Sequence, residues 1–142
     1  MKIALIDVIS EEVVKLFSEQ DNFMIEFLGG DSVYYTRYSK NENIENVWVA
    51  YFGDLPIGCV AYRKKSIGVG EVKRMFIKHE YRGRGISKSL LDMVEKHAKQ
   101  CGDQALHLST RITLEPAITL YRHSGFYETF RNDLYVEMEK KL

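Results

Sequence analysis

A strand, a turn rich in glycine and arginine, and a helix follow one another over residues 70–100. This order constrains the fold more than any other feature. The run "GEVKRMFI" (70–77) is apolar and strand-like, and "ISKSLLDMVEKHAKQ" (86–100) repeats its apolar residues at helical spacing. Between them, "EYRGRG" (80–85) holds two glycines and two arginines. Gly102 follows where a helix end favours glycine. The pattern predicts a strand that turns directly into a helix.

The turn also has the chemistry of an anion site. Gly83 and Gly85 lack a Cβ, so the backbone there can turn tightly and approach a ligand closely. The amides of residues 83–88 would be unpaired donors at a helix N-terminus, where the helix dipole favours negative charge. Three cations add to this: Arg82, Arg84 and Lys88. Since the spacing matches neither the dinucleotide-binding nor the P-loop pattern, these residues alone favour phosphate binding but leave a plain turn open.

The rest of the chain predicts a sheet with helices on both faces. Seven strands are predicted, at 2–8, 47–53, 56–65, 70–77, 105–110, 126–130 and 133–140. Helices are predicted at 11–20 after an N-cap at Ser10, as a short separate piece at 22–28, and at 86–100 and 115–124. Gly53 and Asp54 predict a hairpin in the antiparallel first half. The fold class is therefore α/β, with three layers (α/β/α) and a mixed, largely antiparallel sheet of about seven strands.

Composition narrows the class of protein. Twenty basic and twenty acidic side chains cancel, which argues against nucleic-acid binding, although the arginine-rich turn leaves it as a weak alternative. No linker or repeat interrupts the chain, so a single domain over 1–142 is expected. The cysteines, Cys59 and Cys101, are interpreted as reduced, and no histidine shows metal-ligand spacing. Without an apolar run of ~18 residues, no membrane association and a cytoplasmic location are expected.

Two segments resemble the GNAT superfamily of acyl-CoA-dependent N-acyltransferases. Its motif [QR]-x-x-G-x-[GA] aligns with residues 80–85, where both glycines match and Glu80 departs from the first position. His79 stands where proline is usual in the longer pattern. About 35 residues later, "AITLYRHSGF" (117–126) is similar to the family's "A-I-x-L-Y-x-x-x-G-F". The asparagine often found before that motif is missing, and Leu114 and Glu115 occupy its neighbourhood. The likeness covers roughly residues 70–130.

The resemblance implies acetyl-CoA as co-substrate, no metal, and a set of binding residues. Backbone groups of the strand segment Met75, Phe76 and Ile77 would pair with the pantetheine arm, where the family's fourth strand separates from its fifth. Met75 would also polarise the thioester carbonyl through its amide. The pyrophosphate would be bound by amides along the turn and the helix start: Arg82, Gly83, Arg84, Gly85, Ile86, Ser87 and Lys88.

The resemblance also implies catalytic roles. Tyr121 falls on the family tyrosine that protonates the departing CoA thiolate, whereas its helical spacing alone favours core packing. Glu71, four residues before Met75, is the first candidate for the base that deprotonates the amine, and even separation predicts that the two side chains share a face. A surface carboxylate beside Lys73 is the competing interpretation. His107 and His123 are further candidates for the base.

The expected activity is N-acetylation of a primary amine in a small molecule or peptide, by direct transfer. The alternative is a non-catalytic module of the same fold that binds or senses acyl-CoA. A homodimer is compatible with the resemblance. Candidates for contact with the acceptor lie in three segments, 22–40, 109–116 and 130–135, which correspond to the regions that usually shape the acceptor site in the family: Glu26, Tyr34, Tyr35, Arg37, Arg111 and Tyr135. Their aromatic and arginine content suits a small molecule with a carboxylate or aromatic part.

Overall fold

A seven-stranded mixed sheet forms the centre of the structure, a computed structural model that describes residues 1–29 and 43–142. Its strands are β1 (Lys2–Ile6), β2 (Asn46–Phe52), β3 (Leu55–Ser66), β4 (Val69–Ile77), β5 (Ala105–Arg111), β6 (Tyr127–Arg131) and β7 (Tyr135–Lys141). They are ordered β1-β2-β3-β4-β5-β7-β6. The α-helices within these two ranges are α1 (Glu11–Leu28), α2 (Ile86–Gln100) and α3 (Glu115–His123), and a short 3-10 helix spans His79–Tyr81.

Helices cover both faces of the sheet, as the sequence predicts. Val13 and Leu16 of α1 pack against Val49 and Cys59 on one face. On the other face α2 and α3 share an apolar core with the central strands, formed by Val60, Leu90, Val94, Leu106, Leu108 and Ile118 among others. Burial of each such aliphatic side chain stabilises the fold by about 1.5–3 kcal/mol. The prediction of a three-layer α/β/α fold with a mixed, largely antiparallel sheet is confirmed.

Helix α1 is longer than the sequence pattern predicts. Ser10 caps it as expected, since its hydroxyl accepts a hydrogen bond from the Val13 amide at 3.3 Å. The predicted break before residue 22 is wrong, because one helix runs from Glu11 to Leu28. Met24 continues the buried stripe begun by Val13, so the same apolar face packs on the sheet along the whole helix.

The sheet opens between β4 and β5, its one parallel pair of strands. Pairing there covers three positions only, from Val69↔Ala105 to Glu71↔His107. Beyond Glu71, β4 continues to Ile77 and β5 to Arg111. The two strands therefore separate after Glu71, which leaves the backbone of residues 72–77 open on the side of β5. None of the helices within residues 1–29 and 43–142 is long and apolar enough to cross a membrane.

Candidate active site

A cleft of about 1140 Å³ lies where β4 and β5 separate. Helix α1 contributes Phe23 and Phe27 to one wall, and α3 contributes Tyr121 to another. The glycine-rich turn and the first residues of α2 close one end. Glu71 and His107 lie at the opposite end, where the two strands still pair. The two motifs that the sequence singles out, 80–85 and 117–126, therefore contribute to the same cleft.

The glycine-rich turn presents an open backbone surface to this cleft. Gly83 and Gly85 both have φ of +76°, and a Cβ added at either would meet no atom within 4 Å. Gly85 directly precedes α2. The Ser89 amide donates to the Gly85 carbonyl at 3.2 Å, so the amides of residues 86–88 precede the helical hydrogen bonds. Such amides, together with the helix dipole, suit an anion such as a pyrophosphate.

The two arginines of the turn have different surroundings. Arg82 Nε donates to the Ile77 carbonyl at 2.9 Å, and its guanidinium lies 4.6 Å from the centre of the Phe23 ring. Arg82 thus connects the turn to the end of β4 and to α1, and it lines the cleft. Arg84 instead lies over the Tyr81 ring at 5.1 Å, outside the cleft wall. Of the two arginines of the turn, Arg82 is therefore the one whose positive charge faces the cleft.

A β-bulge changes which way the side chains of β4 point. Lys73 pairs with Ala61 and Phe76 pairs with Cys59, so two residues of β4 stand opposite Val60 alone. One of the two, Arg74, has φ of +57°, which is uncommon for a residue with a side chain. Every side chain after the bulge consequently lies on the face opposite to the one that simple alternation predicts.

The bulge overturns one prediction about Glu71. The side chain of Met75 packs against the core on the α2 side, whereas Phe76 joins the cluster on the α1 side. Glu71 lies beside Lys73, on the α1 side. The prediction that Glu71 and Met75 point to one face is therefore wrong, because the extra residue shifts the alternation by one. Met75, Phe76 and Ile77 nevertheless all line the cleft.

Helix α1 holds the bulge in place. Arg74 Nη1 lies 2.5 Å from Asp21 Oδ1 and 3.2 Å from Gln20 Oε1, with its guanidinium 4.7 Å from the centre of the Phe17 ring. Gln20 Nε2 in turn donates to the Met75 carbonyl at 3.1 Å. These contacts offset the strain of the positive φ and fix the backbone of Met75, which the resemblance places beside the thioester.

Tyr121 belongs to the core and to the cleft wall at once. Its side chain is 6% exposed and meets the Phe126 ring edge-on, with the ring centres 5.8 Å apart. Burial raises the pKa of the Tyr121 phenol above its ordinary value of 10.0, so the hydroxyl keeps its proton at neutral pH. The core interpretation and the functional interpretation of this tyrosine are therefore compatible.

Glu71 is the centre of a charged cluster at the other end of the cleft. Its Oε1 lies 2.9 Å from Arg63 Nε, and its Oε2 lies 3.1 Å from His107 Nδ1. Lys65 Nζ and Lys73 Nζ are 3.7 and 3.9 Å from the carboxylate oxygens. Because the residue is only 9% exposed, the interpretation of Glu71 as a surface carboxylate is wrong.

Opposing effects set the charge of Glu71. Burial raises the pKa of its carboxyl group. The hydrogen bond from His107 and the charges of Lys73, Arg63 and Lys65 lower the pKa, and together they outweigh burial. The net pKa lies below the ordinary value of 4.5, so Glu71 is an anion at neutral pH.

The two histidine candidates differ in position. His107 lines the cleft, and its Nε2 lies 3.5 Å from Glu137 Oε1 of β7. His123 is exposed at the end of α3, outside the cleft wall. The parallel register of β4 and β5 brings His107 to Glu71, and nothing in the sequence predicts that register.

Acceptor candidates divide into three groups. Arg111 and Tyr135 pair across β5 and β7 and line the cleft. Glu26 is exposed on α1 and does not contribute to the wall, so the structure does not support it. The remaining three candidates lie outside the described residues: Tyr34, Tyr35 and Arg37.

Sequence reasoning missed several residues of the cleft. Gln20 and Phe23 reach it from α1, and Lys65 reaches it from β3. Phe23 and Phe27 stack with their ring centres 5.7 Å apart, and their spacing of four residues on a helix is a signal that the sequence does carry. Lys65 had no such signal, because its place depends on how β3 pairs with β4.

Comparison with known proteins identifies related chains. A family model described as the acetyltransferase (GNAT) family matches residues 11–126. An "IAA acetyltransferase" of Azospirillum brasilense is 41% identical over 71 residues, which are 49% of this chain and 46% of that protein. An uncharacterized N-acetyltransferase of Bacillus subtilis is 29% identical over 129 residues, covering 89% of this chain and 85% of the relative. The match to the Azospirillum protein thus spans less than half of its length.

Solved structures share the fold over nearly the whole chain. A Klebsiella pneumoniae protein classed with the acyl-CoA N-acyltransferases has a TM-score of 0.81 at 26% identity, covering 99% of this chain and 97% of its own. The PaiA N-acetyltransferase of Thermoplasma acidophilum, solved in complex with coenzyme A, has a TM-score of 0.72 at 20% identity and full coverage of both chains (100% and 100%).

Proposed function

Because the chain belongs to the acetyltransferase (GNAT) family of N-acetyltransferases, we propose that it moves the acetyl group of acetyl-CoA directly to a primary amine of a small molecule or peptide. One observation carries this proposal. A single cleft joins a turn suited to a pyrophosphate, a buried neutral tyrosine and a buried carboxylate–histidine pair. Donor binding, acid and base thus have candidates within one site.

The donor's contacts are proposed along β4 and the turn. The amides from Arg82 to Lys88 would bind the pyrophosphate, which the open space beside Gly83 and Gly85 supports. The backbone of Met75, Phe76 and Ile77 would pair with the pantetheine arm, since β4 has no β5 partner beyond Glu71. A bound coenzyme A in the Thermoplasma neighbour, which shares the fold, is consistent with this arrangement.

Transfer needs a neutral amine, a stabilised intermediate and a protonated leaving group. Glu71 is the proposed base, taking a proton from the ammonium form of the acceptor directly or through water. The amine nitrogen then bonds to the thioester carbonyl carbon, whose oxygen accepts a hydrogen bond from the Met75 amide. The C–S bond breaks as Tyr121 gives its proton to the CoA sulfur. The amine's second proton and the proton held by Glu71 pass to solvent, and the Tyr121 phenolate takes a proton back from solvent.

His107 remains the second candidate for the base. The lowered pKa of Glu71 makes its carboxylate a weaker proton acceptor than an ordinary glutamate. His107 shares a hydrogen bond with Glu71 and lines the same cleft. Its two ring nitrogens lie 3.1 Å from Glu71 Oε2 and 3.5 Å from Glu137 Oε1.

The proposal is tested by release of free CoA thiol from acetyl-CoA against a panel of amines, with mass spectrometry of the products. The expected result is thiol release that depends on the amine and is matched by an equal amount of N-acetylated product. Tight binding of acetyl-CoA without turnover of any amine would instead favour the non-catalytic alternative.

A further inference from the structure

Within residues 1–29 and 43–142, cations outnumber anions around Glu71. Alternating residues of β3 and β4 point to the α1 side of the sheet and form a basic cluster of Arg63, Lys65 and Lys73 around one carboxylate. All four residues line the cleft. Glu137 approaches the same end but lies against His107, at 3.5 Å from its Nε2. The two lysines of the basic cluster alone bring two positive charges to the one negative charge of Glu71.

The two lysines keep hydrogen-bond donors for another anion. Glu71 already has a close partner on each oxygen, Arg63 at 2.9 Å and His107 at 3.1 Å. Lys65 Nζ and Lys73 Nζ stand farther off, at 3.7 and 3.9 Å, beyond ordinary hydrogen-bond length. Their ammonium groups thus border the carboxylate without donating to it.

The balance of charge around Lys73 agrees with this. Burial lowers the pKa of the Lys73 ammonium and Glu71 raises it, while the neighbouring cations Arg63, Arg74 and Lys65 lower it, and the net pKa lies below 10.5. Glu71 therefore does not fully offset the effects of burial and of the neighbouring cations on the charged form of Lys73. A second anion bound beside it would stabilise that charge.

We propose that Lys65 and Lys73 bind a carboxylate of the acceptor, and that the acceptor is an α- or β-amino acid. This inference rests on the proposed function, because it takes the acceptor amine to lie beside Glu71 and His107. Only one or two carbon atoms separate the amine from the carboxylate in such a molecule. An amine next to Glu71 consequently places its carboxylate next to the lysines that border Glu71.

The same geometry disfavours a peptide N-terminus as acceptor. A peptide bond replaces the carboxylate next to the terminal amine, so a peptide leaves the two ammonium groups without their anion. A carbonyl oxygen accepts a hydrogen bond but brings no charge, and hydrogen bonds between charged groups are the stronger kind. The basic cluster thus distinguishes a free amino acid from its amide.

The experiment compares each of the twenty protein L-amino acids and β-alanine with its carboxamide. Thiol release from acetyl-CoA measures kcat/KM, and calorimetry on the protein saturated with CoA measures the dissociation constant of each probe without turnover. We expect at least one free amino acid to exceed its carboxamide by about tenfold or more in both measurements, as loss of a charged hydrogen-bond partner implies.

Variants locate the effect. Lys65→Gln and Lys73→Gln should each reduce the preference for the carboxylate while acetyl-CoA affinity stays the same, and Lys73→Arg should retain the preference. Lys96→Gln, on the exposed side of α2, is the matched control and should change neither. If both Gln variants kept the full preference for the carboxylate, the assignment would be overturned. It would also be overturned if the variants lost affinity for acetyl-CoA and kept that preference.

The two levels of the proposal fail in different ways. Absence of thiol release with every amine would contradict the proposed transferase activity, yet a calorimetric preference for carboxylates would still support the anion subsite. Conversely, thiol release with amines and carboxamides alike, with equal binding of both, would leave the activity standing and refute the subsite.

Discussion

Glu71 shows how competing effects at one residue decide a catalytic hypothesis. Its burial would favour the protonated acid, whereas His107, Arg63 and two lysines favour the anion and prevail. The residue is thus ready to accept a proton at neutral pH but holds it weakly. A carboxylate that holds a proton weakly can pass it to a neighbouring group, and His107 Nδ1 lies 3.1 Å from Glu71 Oε2.

Glu71→Gln should lower stability in a manner that depends on pH. The folded-state pKa of Glu71 lies below its ordinary value of 4.5, so its contribution is complete above pH 4.5 and is lost as the pH falls through the folded pKa. We expect the variant to lose about 2 kcal/mol of unfolding free energy at neutral pH. Urea denaturation of both proteins at several pH values measures the difference, which should shrink in acid. A difference that is constant with pH would contradict this role of the charge.

Tyr121→Phe should lower kcat by about a hundredfold while the dissociation constant of acetyl-CoA changes little. The substitution removes the proton donor but keeps the ring that packs against Phe126. Steady-state thiol release and calorimetry measure the two quantities. Tyr127→Phe, on the exposed edge strand β6, serves as the control and should behave as the unaltered protein. An unchanged turnover number in Tyr121→Phe would refute the assignment of the acid.

At the scale of elements, two irregularities build the site. The bulge at Arg74 turns Met75 toward the α2 side, and the paired glycines at 83 and 85 convert a strand into a helix that starts at the cleft. Both irregularities include residues at positive φ. Gly83 and Gly85 adopt it without strain because they lack a Cβ, whereas the contacts of Arg74 with Asp21 and Gln20 offset the strain at the bulge.

Arg74→Ala should destabilise the fold by about 2 kcal/mol, because it removes a nearly buried guanidinium that binds Asp21 and Gln20 and leaves alanine at positive φ. Thermal or chemical denaturation measures the loss. Arg131→Ala, which breaks the exposed ion pair with Glu128, is the matched control and should change stability by less than about 0.5 kcal/mol. Equal effects of the two substitutions would contradict the role of the bulge.

Gly83→Val should weaken acetyl-CoA binding by more than about tenfold, since its side chain would occupy the open space that the pyrophosphate needs. Gly53→Val tests whether strain alone has this effect, because Gly53 also has positive φ and open surroundings but lies in the β2–β3 hairpin. Calorimetry on both variants should show a loss for Gly83→Val only. Normal affinity of Gly83→Val for acetyl-CoA would refute the proposal that this turn binds the pyrophosphate.

At the scale of the whole molecule, local sequence patterns predict most helices and strands, but they do not predict the contacts between residues that are distant in sequence. The span of α2 (86–100) follows from helical spacing and a glycine turn, and the structure confirms both ends. The bulge could not be predicted, since arginine seldom adopts positive φ and Asp21 and Gln20, which hold it, lie 53 and 54 residues away. The pairing of Glu71 with His107 depends likewise on a register between strands that are distant in sequence.

Acetyl-CoA is proposed to bind where β4 and β5 separate, and a crystal structure of the complex tests this most directly. The predicted result is a pyrophosphate on the amides of residues 83–88 and a thioester between the Met75 backbone and the Tyr121 hydroxyl. The end of the cleft beside Glu71 and His107 should stay open to the acceptor. A complex whose pyrophosphate lies away from this turn, or whose thioester is remote from Tyr121, would contradict the proposed binding of acetyl-CoA in this cleft.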